Sequence, residues 1–297
     1  MTGVFCLGIA TLDYVYGVDT MPTRPEKHRA RDLAVVGGGC AGNASVAVAR
    51  LGGRSWLATR LGDDLTGDRI LADLAEEGVE TGPALRFAGL RSPVSAIFVD
   101  AAAERLVMSY SDPAMPDSAE GLPARLPEGA KAVLADIRWV EGARAIFQRA
   151  REAGVPAVLD ADRNPPHPEL VSSATHVAFS AQALLEASGE EDPRLGLARL
   201  AQGTATWLAV TLGHEGVLFL ENGEIAHSPA FDVAAVDTLG AGDVWHGAFA
   251  LALAEGQGER AAIRFASAVA AIKCTRFGGR AGTPGRGDVE RFLAANS

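Results

Sequence analysis

Short apolar runs alternate with longer amphipathic runs along most of the chain. The short runs are typical of strands buried on both faces, and the longer ones have the spacing of helices. Such alternation predicts the α/β class, with a doubly wound, mostly parallel sheet that carries helices on both faces. The predicted strands cover residues 4–9, 56–59, 132–135, 157–159, 176–179, 207–211 and 217–220. The predicted helices cover residues 41–51, 66–77, 142–153, 181–187, 193–202, 241–255, 259–274 and 287–295.

Two stretches, at about residues 12–36 and 92–111, break this rhythm. They have the pattern of short alternating strands joined by turns, and neither supplies a crossover helix. We therefore expect a small separate sheet, here called the lid, over the carboxyl edge of the main sheet. Lids of this kind exclude water during group transfer. The predicted lid strands cover residues 12–18, 29–36, 94–99 and 105–109, and we expect one domain, residues 1–297.

Polar side chains follow many of the predicted strands directly. In open α/β sheets ligands bind at the carboxyl ends of the strands, so these side chains are candidates for function. They are Asp13, Asp136, Arg138, Asp160, Asp162, Arg163, Ser180 and residues 211–213.

The most informative segment is residues 232–256, DVAAVDTLGAGDVWHGAFALALAEG. A short apolar strand is predicted at 233–236, and a long apolar helix follows the glycine turn. Backbone N–H groups at a helix N-terminus attract an anion, whereas Asp243 within that turn is suited to accept a proton. Together they favour phosphoryl transfer to a hydroxyl group. Gly-Asp before an apolar run is also a common helix N-cap, so the turn alone leaves both interpretations open.

A second glycine-rich segment, residues 37–53, reads GGGCAGNASVAVARLGG. Gly37, Gly39 and Gly42 match the dinucleotide fingerprint GxGxxG, with Asp63 about twenty residues later. That fingerprint should follow the first strand of a βαβ unit, whereas here it follows a lid segment, which argues against a dehydrogenase. A glycine-rich turn followed by Asn43 suits a polyhydroxylated ligand that approaches the backbone closely.

Composition narrows the remaining classes. The formal net charge of the 297 residues is −10, which argues against a nucleic-acid partner. Three scattered cysteines form neither a zinc motif nor a disulfide framework, and the six histidines form no HExxH-type pair. The chain has no Walker GxxxxGK[ST] loop and no GxSxG elbow. With no apolar run of membrane-spanning length and no leader-like N-terminus, we expect a cytoplasmic protein without a membrane partner.

The two glycine-rich segments together resemble the paired signatures of the PfkB/ribokinase family of sugar kinases. The resemblance extends over nearly the whole chain, through Asp13, TRLGDDLTGDRI at 59–70, the TLGHEG turn at 211–216 and AIKCTRFGGRAGTP at 271–284. It implies a ribokinase-like fold and an ATP-dependent sugar kinase.

The resemblance also implies residue roles. Asp243 would be the base, and the N–H groups of Gly240, Ala241 and Gly242 would hold the transferring phosphoryl group. The sugar hydroxyls would be bound by Asp13, Gly38, Gly39 and Asn43. The nucleotide site would include Ser180, Thr211, Gly213 and Gly216, with residues 267–278, Ala270 and Cys274 among them, covering the adenine. ATP would bring Mg²⁺, and the resemblance also suggests a monovalent cation such as K⁺ near the loop, whose ligands the sequence does not assign.

Within the family, residues 133–139, 158–162 and 178–180 are similar to bacterial sulfofructose kinases, as is the KCTR segment. There the sulfonate is expected to bind a Lys, an Asn and an Arg, and these positions carry Lys27, Ser109 and Arg138. Charge-assisted donors should dominate recognition of a sulfonate. Lys27 is alternatively a solvated lid residue, and Arg138 an ion-pair partner of Asp136 or Asp160.

We therefore expect transfer of the γ-phosphoryl group of ATP to a hydroxyl of a ketose-type sugar, with 6-deoxy-6-sulfofructose as one candidate. An unmodified sugar is the alternative, whether of the fructose, ribose, tagatose or 2-keto-3-deoxygluconate type. A nucleoside acceptor would need an aromatic pocket from Tyr14, Tyr16 and Tyr110. Outside this class stands a sugar- or nucleotide-binding protein without turnover. The exposed strand edges of the lid favour a homodimer through the lid.

Overall fold

The computed structural model describes residues 2–101 and 104–296. Its strands, in chain order, are β1 (Gly3–Leu7), β2 (Thr11–Gly17), β3 (Asp32–Gly38), β4 (Arg54–Ala58), β5 (Arg60–Gly62), β6 (Val79–Glu80), β7 (Leu85–Phe87), β8 (Val94–Val99), β9 (Arg105–Tyr110), β10 (Ala130–Asp136), β11 (Ala157–Ala161), β12 (His176–Ser180), β13 (Trp207–Thr211), β14 (Val217–Glu221) and β15 (Glu224–Ser228). The α-helices are α1 (Cys40–Arg50), α2 (Leu65–Glu76), α3 (Val140–Ala153), α4 (Pro168–Ser173), α5 (Ala181–Ser188), α6 (Pro193–Ala201), α7 (Ala241–Ala254), α8 (Glu259–Cys274) and α9 (Arg286–Ala295).

The main sheet has nine described strands in the order β15-β14-β13-β12-β11-β10-β1-β4-β6. The strands from β13 to β6 are parallel, and β14 and β15 add an antiparallel edge. The chain therefore winds outward in both directions from β1 and β10, which confirms the predicted doubly wound α/β class.

Alternation along each strand divides the core into two layers. In β1, Val4 and Cys6 pack into one cluster with α1, α7 and α8, whereas Phe5 and Leu7 pack into the other with α3, α5 and α6. Full burial of such side chains contributes roughly 1.5–3 kcal/mol each to stability. Both faces of the sheet are thus covered, and its carboxyl edge is the part left for function.

The lid is a four-stranded sheet of order β3-β2-β8-β9, built from the two predicted stretches. Within this sheet β8 runs parallel to β2, whereas β3 is antiparallel to β2 and β9 is antiparallel to β8. The lid sheet is confirmed, although β3 begins at Asp32 rather than at residue 29. A further two-stranded sheet, β5 with β7, was not predicted.

The predicted strand at 233–236 is wrong. This segment has no regular structure, because the N–H groups of Val236 and Asp237 donate to the carbonyl of Cys274 at 2.7 and 3.1 Å. The segment therefore donates its hydrogen bonds to the end of α8 and not to a neighbouring strand. The prediction also missed α4 and β15, and β15 forms a hairpin with β14.

No helix within residues 2–101 and 104–296 combines the length and apolar character needed to cross a membrane.

Candidate active site

The glycine loop, residues 237–243, is shaped by the buried carboxylate of Asp237. Asp237 Oδ1 accepts from the N–H of Leu239 at 2.8 Å, and Oδ2 accepts from the N–H groups of Gly278 and Gly279 at 3.0 and 2.8 Å. Gly240 caps α7 with a φ of 75°, which favours glycine. The N–H groups at the start of α7 lack intrahelical acceptors, so the loop directs donors and a positive helix end into the site.

Asp243 lies in the first turn of α7 and is held by α1. Its Oδ2 accepts a hydrogen bond of 2.7 Å from Asn43 Nδ2. Burial raises the pKa of Asp243, and the hydrogen bond from Asn43 opposes that rise. Asn43 itself is 6% exposed, and its Oδ1 has no hydrogen-bond partner among the described residues. An acceptor oxygen is therefore free beside the carboxylate.

Close packing of α1 on α7 makes this contact possible. A Cβ atom on Gly247 would lie 2.4 Å from the carbonyl oxygen of Ala44, nearer than side chains tolerate. Glycine at this position lets the two helices approach until Asn43 reaches Asp243.

Asp13, on β2 of the lid, is buried close to Asp243, whose charge contributes to its raised pKa; burial is the larger cause. Its Oδ1 accepts from Thr11 Oγ1 at 2.7 Å, and Ser95 also donates to it. A Cβ atom on Gly38 would lie 1.9 Å from Asp13 Oδ2, and one on Gly39 would lie 2.5 Å from the carbonyl oxygen of Ile9. These glycines therefore permit the backbone to pass close to the carboxylate.

Ser109 stands in the same row across the lid as Asp13. The register pairs Asp13 with Ser95 and Ser95 with Ser109, and the two serine hydroxyls are 3.4 Å apart. The structure thus connects Ser109 to Asp13 through Ser95.

The strand ends of β10 and β11 bring three aspartates together. Asp136 pairs in register with Asp160, and both are buried. Burial raises the pKa of Asp136 to about 6, although Arg138 and two backbone N–H donors oppose the rise. Burial and the nearby Asp162 raise the pKa of Asp160. The carboxyl edge of the main sheet therefore carries a cluster of three aspartates.

Arg138 forms its ion pair with Asp162, not with Asp136 or Asp160. Its Nη1 and Nη2 donate to the two Asp162 oxygens at 2.9 and 2.5 Å, a bidentate arrangement. Arg138 also lines a cavity of about 290 Å³ between the lid and the main sheet. The other lining residues are Gly8, Ile9, Thr59, Arg60, Pro93, Ser111, Asp112, Met115 and Asp117.

Cys40, Asp160 and Asp243 offer ligand atoms within 4.8 Å of one another. Burial and the surrounding aspartates raise the pKa of Cys40 well above its ordinary value. Because the thiolate is the form that binds metals, this protonated thiol is a poor ligand. We assign no metal to the trio.

A cleft of about 500 Å³ opens on the other side of the glycine loop. Predicted nucleotide residues that line it are Thr211, Gly213, Gly216, Ala270 and Cys274, together with Ala241 and Gly242 of the loop. It is further lined by Phe231, Val233, Thr238, Trp245 and Ser267. The structure thus brings these residues into one nucleotide-sized space.

Two other predicted residues lie apart from these spaces. Ser180 caps α5 by accepting from the N–H of Ala183, and it donates to the carbonyl of Asp162, without lining the cleft. Lys27 is exposed in the loop between β2 and β3.

The three lid tyrosines do not form the aromatic pocket that a nucleoside would need. Tyr14 and Tyr16 alternate with Asp13 along β2, and Tyr110 pairs through Val94 with Leu12. All three therefore lie on the face of the lid opposite Asp13.

The sequence reasoning missed several residues at the site. His246 is buried, with Nδ1 2.8 Å from the carbonyl of Gly242 and Nε2 3.2 Å from that of Ala178. Arg105 of the lid donates from Nη1 to Thr238 Oγ1 at 2.5 Å, which links the lid to the glycine loop. Lys273 is buried against Asp237. A lysine within the apolar run of α8 was a usable signal, whereas nothing in the sequence marks Arg105.

An anion-binding loop between a nucleotide-sized cleft and a covered acidic site defines the class of a phosphotransferase. The chain belongs to the pfkB family of carbohydrate kinases, whose family model matches residues 1–286. It is therefore a sugar kinase of the ribokinase type.

Curated relatives differ in the sugar that they are named for. The chain is 27% identical to the ribokinase of Bacillus subtilis over 300 residues, which cover 99% of this chain and 100% of that one. It is 28% identical to fructokinase-1 of Zea mays over 286 residues, covering 86% and 88%.

Solved structures show the same fold over the whole length. A protein from Agrobacterium tumefaciens, provisionally described as a ribokinase, is 39% identical with a TM-score of 0.92 and coverage of 99% and 98%. The Arabidopsis thaliana ribokinase solved with ribose and ATP is 23% identical, with a TM-score of 0.84 and coverage of 99% of each chain. The ribokinase-like fold predicted from the sequence is confirmed.

Proposed function

We propose that this kinase transfers the γ-phosphoryl group of ATP to a hydroxyl of a ketose-type sugar, with Asp243 as the base. The observation that carries the proposal is the pairing of Asp243 with Asn43. Asn43 Nδ2 fixes the carboxylate, and the unpartnered Asn43 Oδ1 leaves an acceptor for a sugar hydroxyl. Asp243 also stands at the junction of the glycine loop and the lid-covered site.

The chemistry follows from this arrangement. Asp243 accepts the proton of the attacking hydroxyl as its oxygen forms a bond to the γ-phosphorus, and the bond from that phosphorus to the β–γ bridging oxygen breaks. ADP carries away the electron pair of the broken bond. The N–H groups of Gly240 and Gly242 would stabilise the charge on the transferring group, whereas that of Ala241 donates to the carbonyl of Thr238 at 3.2 Å.

The cleft suits ATP, with the adenine against α8 and the phosphates toward the loop. Thr238 lines the cleft, so the Arg105 guanidinium that contacts it lies within reach of bound phosphates. Mg²⁺, when bound with ATP, neutralises phosphate charge.

A neutral, hydroxyl-rich acceptor fits the surroundings best. Asp13, Asp136, Asp160 and Asp243 would all oppose an anion, and Asp162 already neutralises Arg138. Carboxylates and amides are good partners for sugar hydroxyls. We therefore favour an unmodified sugar over a sulfonated one, bound by Asp13, Asn43 and the backbone at Gly38 and Gly39.

One observation favours 6-deoxy-6-sulfofructose as a second candidate. Arg60 and Arg138 both line the cavity of about 290 Å³, where Arg60 is paired with Asp117 and Arg138 with Asp162. A sulfonate there would compete with Asp162 for Arg138. Lys27 would add little, because it is exposed in its loop.

An acceptor panel separates the two. ADP release with Mg-ATP is measured for 6-deoxy-6-sulfofructose, fructose, fructose 6-phosphate, tagatose, ribose, 2-keto-3-deoxygluconate, inositol and adenosine, with wild type, Arg138→Ala and the control Arg151→Ala, at an exposed arginine in the last turn of α3. Sulfofructose turnover that falls about 10- to 100-fold in Arg138→Ala alone, the loss expected for a charged hydrogen bond, supports the sulfonate. Turnover of a neutral sugar that survives Arg138→Ala supports the unmodified acceptor. Turnover confined to ribose, inositol or adenosine, or no turnover with any of the eight, contradicts the ketose proposal.

We also propose a homodimer through the outer face of the lid, the face that carries Tyr14. On it, Leu33, Val35, Leu106, Met108 and Tyr110 are exposed apolar side chains. Every residue of the edge strand β9 is exposed as well. A second copy of the lid would cover both features, since a twofold contact places the same patch against itself.

The cytoplasmic location stays a prediction.

A further inference from the structure

Lys273 is one of three lysines in the chain and differs from the other two in burial. Lys27 and Lys131 are exposed, whereas Lys273 is 0% exposed in the last turn of α8. Burying an ammonium group is costly unless it is paired and hydrogen-bonded. The buried ammonium group of Lys273 must therefore have a partner that compensates its charge.

That partner is Asp237, the residue that shapes the glycine loop. Lys273 Nζ donates to the carbonyl oxygen of Asp237 at 2.8 Å and lies 3.7 Å from its Oδ2. The same carboxylate accepts three backbone N–H groups, from Leu239, Gly278 and Gly279. The ammonium thus compensates the charge of the carboxylate that holds the loop.

The other charged group that bears on Lys273 is Arg105, a repulsive neighbour from the lid, and Cys274 lies beside it on α8. Burial lowers the pKa of Lys273, and the charge of Asp237 opposes this fall. The carbonyl of Cys274 accepts from Val236 and Asp237, so the same helix end also holds the backbone that enters the loop. The C-terminus of α8 and the glycine loop therefore form one unit around the ammonium.

We propose that the Lys273 ammonium is a built-in monovalent cation that fixes the glycine loop, so that this kinase needs no added monovalent cation. This rests on the proposed kinase function. Lys273 is a positioning residue, because its contacts are with Asp237 and not with the reacting groups. The proposal replaces, for this chain, the K⁺ requirement that the family resemblance suggests.

Wild-type enzyme gives the first test, which needs no variant. Turnover is compared in tetramethylammonium chloride and in KCl, NaCl or NH₄Cl at equal ionic strength. The tetramethylammonium cation is too large to take the place of a bound K⁺ at the glycine loop. Because screening is then matched, we expect rates within about twofold of one another. Activation of tenfold or more by K⁺ or NH₄⁺ overturns the proposal.

Two variants separate the charge of Lys273 from its volume. Lys273→Met keeps much of the volume without the charge, and Lys273→Ala leaves space for a small cation. In tetramethylammonium chloride we expect both to lose affinity for a fluorescent ATP analogue and to lose turnover, by about 10- to 100-fold, as for positioning groups behind a site. Methylammonium or K⁺ should restore Lys273→Ala and not Lys273→Met, and the control Lys131→Ala should match wild type.

The outcomes are separable. A Lys273→Met enzyme that behaves as wild type, or a folded Lys273→Ala enzyme that no small cation restores, contradicts the built-in cation. Nucleotide binding is measured without an acceptor sugar. An error in the proposed acceptor would therefore leave the binding test readable.

Discussion

Opposing influences set the ionisation of Asp243. Burial raises its pKa, and the donated hydrogen bond of Asn43 stabilises the carboxylate that must accept a proton. His246 lies one helical turn further along α7, where burial lowers its own pKa. Burial thus favours proton uptake by Asp243, and the hydrogen bond from Asn43 limits that effect.

The pH dependence of kcat/KM should report this environment. A base is inactive when protonated, so the rate should fall as the pH drops through the raised pKa of Asp243. We expect the acid limb of the profile to lie above the ordinary aspartate value of about 3.9. In Asn43→Ala, which removes the stabilising donor, the limb should move to higher pH. A limb that moves to lower pH in that variant would contradict the role of Asn43.

Among the individual site residues, some could be predicted from the sequence and others could not. Asp243 and the glycines around it follow one another in the chain, so a role for them could be proposed from local sequence. The Asn43 contact joins residues 200 positions apart, and the bidentate pair of Arg138 with Asp162 depends on two strand ends. Such contacts depend on tertiary packing, which is why the alternative interpretation of Arg138 as an ion-pair partner named Asp136 or Asp160 rather than Asp162.

At the scale of elements, the approach of α1 to α7 controls the site. Both helices are rich in small residues, and Gly247 meets the backbone of Ala44 directly. The sequence predicted both helices, because each mainly apolar run is too long for a strand. It could not predict that residues 233–236 are irregular, since an apolar run that joins a helix end has the same composition as a short strand.

Gly247→Ala tests this packing. The added methyl would meet the Ala44 carbonyl, and overpacking of this kind costs typically about 1–3 kcal/mol of stability. We expect a lower urea midpoint and a reduced kcat, because α1 must move and carry Asn43 away from Asp243. Gly82→Ala is the control, since a Cβ there has no neighbour within 4 Å. A Gly247→Ala enzyme as stable and active as wild type would refute the packing argument.

In the molecule as a whole, the two faces of the lid have different surroundings. The face with Asp13 and Ser95 is directed to the acidic site, and the opposite face carries a stacked Tyr16–Phe98 pair and exposed apolar side chains. The alternating pattern of the lid strands predicted a separate sheet. It could not show which face would meet the site, because both faces of these strands carry apolar residues.

Met108→Glu tests the proposed dimer. Met108 is 67% exposed on the outer face of the lid, in one row with Val35, Tyr14 and Ala96. A carboxylate placed against its own copy would be buried and repelled, so we expect a dimer for wild type and a monomer for the variant by sedimentation velocity. Leu65→Glu is the control, at a position that is 86% exposed on α2. A monomeric wild type would refute the interface.

The most direct test of the account is ADP release from Mg-ATP by wild type and Asp243→Asn, with the acceptor that the panel identifies. Asparagine keeps the size of the side chain and cannot accept the proton. We predict that kcat falls by about 10²- to 10⁴-fold, the contribution typical of general base catalysis, while ATP binding is retained. An Asp243→Asn enzyme that turns over at the wild-type rate would contradict the central claim that Asp243 is the base.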